Sequence, residues 1–522
     1  MWSASVYCFS DENGQFGTLA NKLRACRLRV KLVTNGLANY KHRRRAQMAA
    51  KFVSCCMGRA HRLSFFVGCA ASVLVALQTL ALGAGSAATE SLTGNNPGAG
   101  SLATTASTAS PAPEKGDQVN VKTYGAVGDG VTNDTAAFNA ALDSLADAGG
   151  GVCLVPRGTY IISASGITSH LKSGVHLVGE GHASILKIAA MPTGPLIWGD
   201  GNGWSIEKVA LDMGDYIPTT HRPAIACFGE NWRVANCSVL RIGIIGISAS
   251  GGNNWTIEKN YISKTVPAQT LNACILATKL GETRSTNGRV IDNVCVGSGI
   301  MFWGFDSTIA RNRVTGSGFG SGIFTGIPMN AHTLQIRDNI CSGGRGFDEN
   351  RTWVSGFELW SSDSIIEGNV AYDNDGGGII IGGKNCVVIA NHSYDNGVHM
   401  PKGAGFVARY KSEDVNASGS VFIGNRAHDS RNPNRSATQT YGYAEQPGRL
   451  HDLVHIGNDY NGNKIRPAEY HSTAGQPNVS ADEGSHVIQT RLSPEMKNRL
   501  KALAHDAELP DTARRALNDL GR

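Results

Sequence analysis

Between residues 299 and 411 the chain returns repeatedly to a glycine followed by a short alternating run, and these runs carry the side chains best suited to chemistry. They read "GIMFW" from 299, "GIFTG" from 322, "GFELW" from 356, "GIIIG" from 378 and "GFVAR" from 405. In an extended strand successive side chains point to opposite sides. With Ile300, Ile323, Phe357, Ile379 and Phe406 inward, and Leu359 and Ile381 two further on, the outward set is Met301, Trp303, Phe324, Glu358, Trp360, Ile380, Val407, Arg409 and Lys411. Lys384 has the same offset in its run as Lys411. A strip with two tryptophans, a carboxylate and three bases suits an anionic glycan, because an indole can cover a sugar ring while cations attract its carboxylate. Trp303 and Trp360 lie two runs apart, about 10 Å at the usual strand spacing, so each would cover a different sugar. Burial of both rings under loops is the competing reading.

The turns leading into these runs hold the remaining candidates. "NVAYDNDGGG" and "NHSYDNGVHMPKGAG" align, which places Asp373 over Asp395, with Asp429 of "NRAHDS" at the same offset. Carboxylates stacked about 5 Å apart repel and raise a pKa, at about the separation of a retaining glycosidase pair. Hydrolysis would use Glu358 with Asp373 or Asp395 as acid and nucleophile or base. Elimination from a uronate would use Lys402, Lys411 or His399 as base, with Arg409 neutralising the substrate carboxylate. No cofactor is required by either scheme; a calcium ion is an alternative occupant of the stacked carboxylates, and Asp-Asn turns bonding their own backbone are another. Asp348, Glu349 and Arg351 belong to an insertion, "RGFDENRTW", just before Glu358.

These residues need a scaffold that repeats. A second column precedes the runs: "WTIEKNYI", "RVIDNVCV", "TIARNRVT", "LQIRDNIC", "SIIEGNVA", "CVVIANHS" and "VFIGNRAH", with asparagines at 260, 293, 312, 339, 369, 391 and 425. The spacing varies, so the unit is one coil with loops of different length, and only stacked coils give a continuous core. Inward asparagines would bond one another and the turn backbone, which is a structural role. The fold class is therefore all-β, a right-handed parallel β-helix built as a single-stranded solenoid over residues 117–475. Residues 89–116 are a Ser/Thr/Ala/Pro linker. Residues 476–522 form a short helical tail, with Ser493 as N-cap and Pro494 at the first helical position.

Residues 1–88 read as a leader: basic "MGRAHRL", the apolar run "SFFVGCAASVLVALQTLAL", then small "GAGSAA" follow the order of a signal peptide. Translation from Met48 or Met57 would put that run at its usual place. Left uncleaved, it is long enough for a membrane anchor. The leader holds 12 of the 48 Lys and Arg and 2 of the 42 Asp and Glu, so the body is slightly acidic and carries no sign of nucleic-acid binding. Seven cysteines in the body, scattered and without CxxC spacing, read as buried thiols.

The start of the body reads "YGAVGDGVTNDTAAFNAAL", "GGGVCLVPRGTY" and "LVGEG". Its glycines allow tight turns, Asn133 or Asp134 can cap a helix, and Phe138, Leu142 and Leu145 recur at helical spacing. This segment resembles the opening of the pectate-lyase-like right-handed parallel β-helix family, which includes rhamnogalacturonase- and epimerase-like domains. The resemblance implies that the helix at about 134–146 caps the open end of the solenoid. It implies a polysaccharide substrate, with trimers among the tailspike-like relatives. The Arg-x-Pro-x-x-Arg run of calcium pectate lyases and the Asp-Pro-His of alginate epimerases are absent from the sequence. Such folds host many activities. The expectation is a secreted or cell-surface bacterial protein that cleaves or modifies an acidic polysaccharide as a lyase or glycoside hydrolase. The alternative is a non-catalytic glycan-binding β-helix.

Overall fold

A computed structural model describes residues 118–520, apart from 215, 217–221, 265–272, 279–282, 319, 327–330, 347–353, 399–402, 432–436, 447–448, 470–478, 482–493 and 506–510. All described residues belong to one compact unit, Ser107–Arg522. His399, Lys402, Asp348, Glu349, Arg351 and the expected N-cap Ser493, together with the leader and linker, lie outside them.

The chain winds as a right-handed parallel β-helix of three long sheets, with fourteen, twelve and eleven strands. One full coil runs through Ile365–Glu367 in the first sheet, Val370–Tyr372 in the second and Ile379–Ile381 in the third. Strands this short suffice because each residue that points inward meets its counterparts one coil before and one coil after. Phe357, for example, pairs in register with Ile323 and Ile379, and all three are fully buried. The parallel strands continue to Val479–Ala481.

The asparagine column turns the chain between the first and second sheets. Asn260, Asn293, Asn312, Asn339, Asn369, Asn391, Asn425 and Asn458 are each at most 2% exposed. Asn369 shows the pattern: its Nδ2 donates to the Ile336 carbonyl at 2.8 Å and to Asn391 Oδ1 at 3.0 Å, while its own Oδ1 accepts from the Asn339 backbone N–H and side chain, both at 3.0 Å. The bend that aims each amide inward comes from the preceding residue, which sits in the left-handed region: Asp338 has φ 56° and Gly368 φ 62°. Asn374, Asn396 and Gln439 form a shorter ladder at the next turn. A third column is aromatic. Trp204, Trp232 and Trp255 stack at 5.2 Å intervals with rings within 8° of parallel, one residue before successive first-sheet strands.

At the N-terminal end, helix α1 (Thr135–Asp147) buries Ala137, Phe138, Ala141, Leu142 and Leu145 against the first coils. Asn133 Oδ1 accepts from the Thr135 N–H at 3.1 Å, whereas Asp134, nearly fully buried, turns away from the helix and accepts from Val127 and Gly128 N–H. The helix ends where Gly149 and Gly150, with φ 83° and 127°, return their N–H groups to Ala146 and Leu145 carbonyls. At the other end, α2 (Pro494–Ala504) and α3 (Asp511–Leu520) lie on the outer side of the first sheet. Leu500, Ala504 and Leu517 cover the outward residues Val387, Ile389, Val421, Ile423 and Val454, and Arg499 donates to the Gly419 and Asn385 carbonyls. The tail is thus a cover for a sheet face.

Candidate functional site

Glu358 stands at an outward position of the third sheet, in register with Phe324 before it and Ile380 after it. The next outward column reads Trp303, Gly326, Trp360, Gly382 and Arg409, each immediately following a paired strand residue. The two columns bring three of the expected residues, Glu358, Trp360 and Arg409, to one place, with Trp303 two coils before Trp360. The Trp360 indole N–H donates to Glu358 Oε1 at 3.0 Å, Ser321 Oγ donates to Oε2 at 3.1 Å, and the Arg409 guanidinium stands 3.6 Å from Oε1. The alternation of tryptophan and glycine explains the fit. A Cβ on Gly382 would come within 2.1 Å of the Trp360 ring, so the indole lies across the space left by this glycine.

Electrostatics and burial give the pair its character. Glu358 and Arg409 side chains are only 13% and 17% exposed. Burial pushes the Arg409 guanidinium below its ordinary range, and the Glu358 carboxylate partly offsets this. A cation removed from water in this way interacts more strongly with an arriving anion than a solvated one does.

The strip is less open than the alternation alone implies. Met301 and Ile380 point outward by register, yet they are 5% and 2% exposed, because side chains of the same face pack on one another. Met301 reaches the Gly320 position, and Ile380 and Val407 converge at Gly377. Trp303, Phe324, Glu358, Trp360, Val407 and Arg409 are half-buried. The Trp303 indole nitrogen is buried with no hydrogen-bond partner among the described residues. Lys411 is exposed just beyond its strand, while Lys384 is half-buried in the turn toward the first sheet, with the Glu413 carboxylate in its field.

The aspartates align as their spacing implies, since Tyr372, Tyr394 and His428 are in register immediately before them, but each is occupied in its turn. Asp373, at φ 55°, accepts from Arg345 at 2.6 Å. Asp395, at φ 56°, accepts from the Ser430 N–H and hydroxyl at 2.6 and 2.5 Å. Asp429 accepts from Thr438 and Gln439 N–H groups and from Arg431; burial pushes its carboxyl up, but Arg431 and the Gln439 N–H together hold it below the usual carboxylate range. Among the described residues no three His, Cys, Asp or Glu side chains converge as metal ligands. The seven body cysteines are buried and unpaired as disulfides, and burial raises Cys153 to about 12.

Ser321, Gly326, Gly382 and Arg345 are site residues that the sequence reading did not single out. The glycines had a signal, the Trp-Gly-Trp-Gly alternation at one offset. Ser321 had none, because its reach to Glu358 depends on the conformation of the turn.

Comparison with known proteins matches residues 118–197 to the family "Rhamnogalacturonase A/epimerase, pectate lyase-like". The chain is 26% identical over 307 residues to mannuronan C5-epimerase AlgE2 of Azotobacter vinelandii, covering 57% of this chain and 23% of that protein. It is 48% identical over 66 residues to AlgE1 of the same organism, covering 12% and 5%. The chain therefore spans about a quarter or less of the length of these relatives. Among solved structures, the A-module of A. vinelandii mannuronan C-5 epimerase AlgE4 superposes with a TM-score of 0.54 at 18% identity, covering 68% of this chain and all of that one.

Proposed function

Because the chain is a pectate-lyase-like parallel β-helix protein, we propose that it acts on a polysaccharide, engaged on the outer face of the third sheet around Trp303, Glu358, Trp360 and Arg409. The observation that carries this reading is the Glu358–Arg409 pair, set 3.6 Å apart beside an indole on adjacent outward columns. The similarity to mannuronan epimerases supports an acidic glycan over a neutral one, as does the desolvated guanidinium.

The chemistry follows from those groups. Proton abstraction next to a carboxylate requires that carboxylate to be neutralised as charge builds on it. A uronate carboxylate would compete with Glu358 for Arg409, leaving Glu358 held by Ser321 and Trp360 against the sugar ring. A base then takes the ring proton. In elimination the C–O bond to the 4-linked oxygen breaks, the electron pair forms the double bond of an unsaturated sugar, and the protonated base hands its proton to the departing oxygen. In epimerisation a second donor delivers a proton to the opposite face. Lys411, exposed at the end of the strip, is the described candidate base; His399 and Lys402 are the others. Two-carboxylate hydrolysis is the weaker scheme, because Asp373 and Asp395 are already bonded to Arg345 and Ser430.

Binding without turnover is a second reading, favoured by the engagement of both Glu358 oxygens by protein donors. We place the protein outside the cytoplasm, on the strength of the leader pattern. Incubation of the purified chain with acidic and neutral polysaccharides separates the readings. New absorbance near 235 nm marks elimination, new reducing ends without it mark hydrolysis, inverted sugar composition marks epimerisation, and saturable binding alone marks the second reading. Neither binding nor turnover on any of them would overturn the proposal.

A further inference from the structure

A pocket of about 420 Å³ opens on the outer side of the second sheet, on a different face from the strip, near the N-terminal end. Its lining includes Val131, Ile161, Lys187, Tyr216 and Arg241. Ile161, Lys187 and Asp212 occupy one outward column in successive coils. Gly130 and Val131 of the "GDGVTND" segment form one wall, a motif to which the strip gives no role.

The charges in this pocket favour an anion. Both oxygens of Asp212 are engaged by Arg241, with Nε to Oδ1 at 2.8 Å, and the Gly214 N–H adds a third contact at 3.1 Å. Asp129 is turned to its own loop, accepting from Val131 N–H, Thr132 N–H and Thr132 Oγ1 at 2.7–2.9 Å. Lys187 is exposed, and no described carboxylate pairs with it. Among the described residues the lining therefore carries one cation in excess.

The remaining walls suit a sugar ring. Tyr216 is partly buried against the core and rests over Gly214, where a Cβ would come within 2.8 Å of the ring. Val131, 84% exposed, supplies an apolar rim. An aromatic ring, an apolar rim and one uncompensated ammonium within a small-ligand volume match a single sugar unit bearing a carboxylate.

We infer that this pocket is a second carbohydrate site, holding one acidic sugar unit of a polysaccharide through Lys187, Tyr216 and Val131. The inference rests on the reading that the chain engages acidic glycans, but it uses none of the strip residues. The test is calorimetric titration of the full chain with a uronate tetramer and with a neutral hexose tetramer. The wild type should bind two uronate tetramers. Lys187→Glu, a surface change that leaves the fold intact, should remove one of the two sites or weaken it at least tenfold; Tyr216→Ala should act in the same direction. Trp360→Ala should affect only the other site. If Lys187→Glu binds as the wild type does, also in the Trp360→Ala background, the pocket is excluded and the strip stands. If Lys187→Glu removes all binding and Trp360→Ala none, the pocket stands and the strip falls. A wild type that binds no uronate tetramer overturns both.

Discussion

Trp360 shows how one side chain can serve the fold and the site together. Its indole rests over Gly382 and its N–H holds Glu358, so it is neither a free surface ring nor a core residue. Alternation alone implies a surface residue, whose loss would cost within about 0.5 kcal/mol. The half-buried ring argues for about 1–2 kcal/mol on Trp360→Ala, measured by denaturant unfolding. Gly382→Ala provides the sharper probe. A methyl there collides with the ring, so the indole must swing away and release Glu358. Glycan affinity should fall at least as far as in Trp360→Ala, and near-ultraviolet circular dichroism should report the displaced ring. A Gly382→Ala protein with wild-type affinity would mean the ring position does not matter. The outward identity of Glu358, Trp360, Trp303 and Arg409 was legible because strand alternation is strict. Their degree of burial was not, because it depends on neighbours from other coils and on the paths of the loops between them.

Among the elements, the asparagine ladder was readable as a column and as a structural device, because every member must face the core to be satisfied. Asn369→Leu keeps the volume but strands the Asn339 N–H, the Asn339 amide and the Ile336 carbonyl. With buried unsatisfied groups each costing about 1–3 kcal/mol, a loss of about 3 kcal/mol is expected, visible as a lowered denaturant midpoint. The tryptophan stack was legible in principle from "NGW", "ENW" and "NNW", but unequal coil lengths hide such a column until the coils are superposed. The second sheet adds a pH dependence. His392 Nε2 lies 3.3 Å from His428 Nδ1. Burial, then the neighbouring His428 and Arg426, lower the His392 pKa from 6.5, with Asp395 opposing them. A histidine whose folded pKa is depressed binds fewer protons folded than unfolded. Stability from this group is therefore full above about pH 7, falls as the pH drops below 6.5, and levels off below the folded value. His392→Gln should flatten the melting-temperature profile between about pH 7 and 5; an unchanged slope would assign that dependence to other groups.

For the molecule as a whole, the solenoid's problem is its exposed faces and ends. Helix α1 covers the first coils, as the opening signature implies. The C-terminal helices cover Val387, Ile389, Val421, Ile423 and Val454 on the first sheet. That the tail is helical was legible from Pro494 at the first helical position and from periodicity; where it lands was not, since the docking face is set by outward residues of strands far back in the chain. Removing residues 490–522 should uncover this apolar patch, lowering the melting temperature and producing dye binding or aggregation, while the third-sheet strip keeps its geometry. A truncated chain as soluble and stable as the full one would show the tail to be dispensable.

Arg409 connects these scales, since its charge only matters if the solenoid holds it in the strip and the strip receives an acidic glycan. Calorimetric titration of Arg409→Ala and wild-type protein with uronate and neutral oligomers of equal length tests that directly. Affinity for the uronate oligomer should drop at least tenfold in the variant, with the neutral oligomer little affected. Equal uronate affinity in the two proteins, with the fold intact, would contradict the assignment of the third-sheet face as the glycan site.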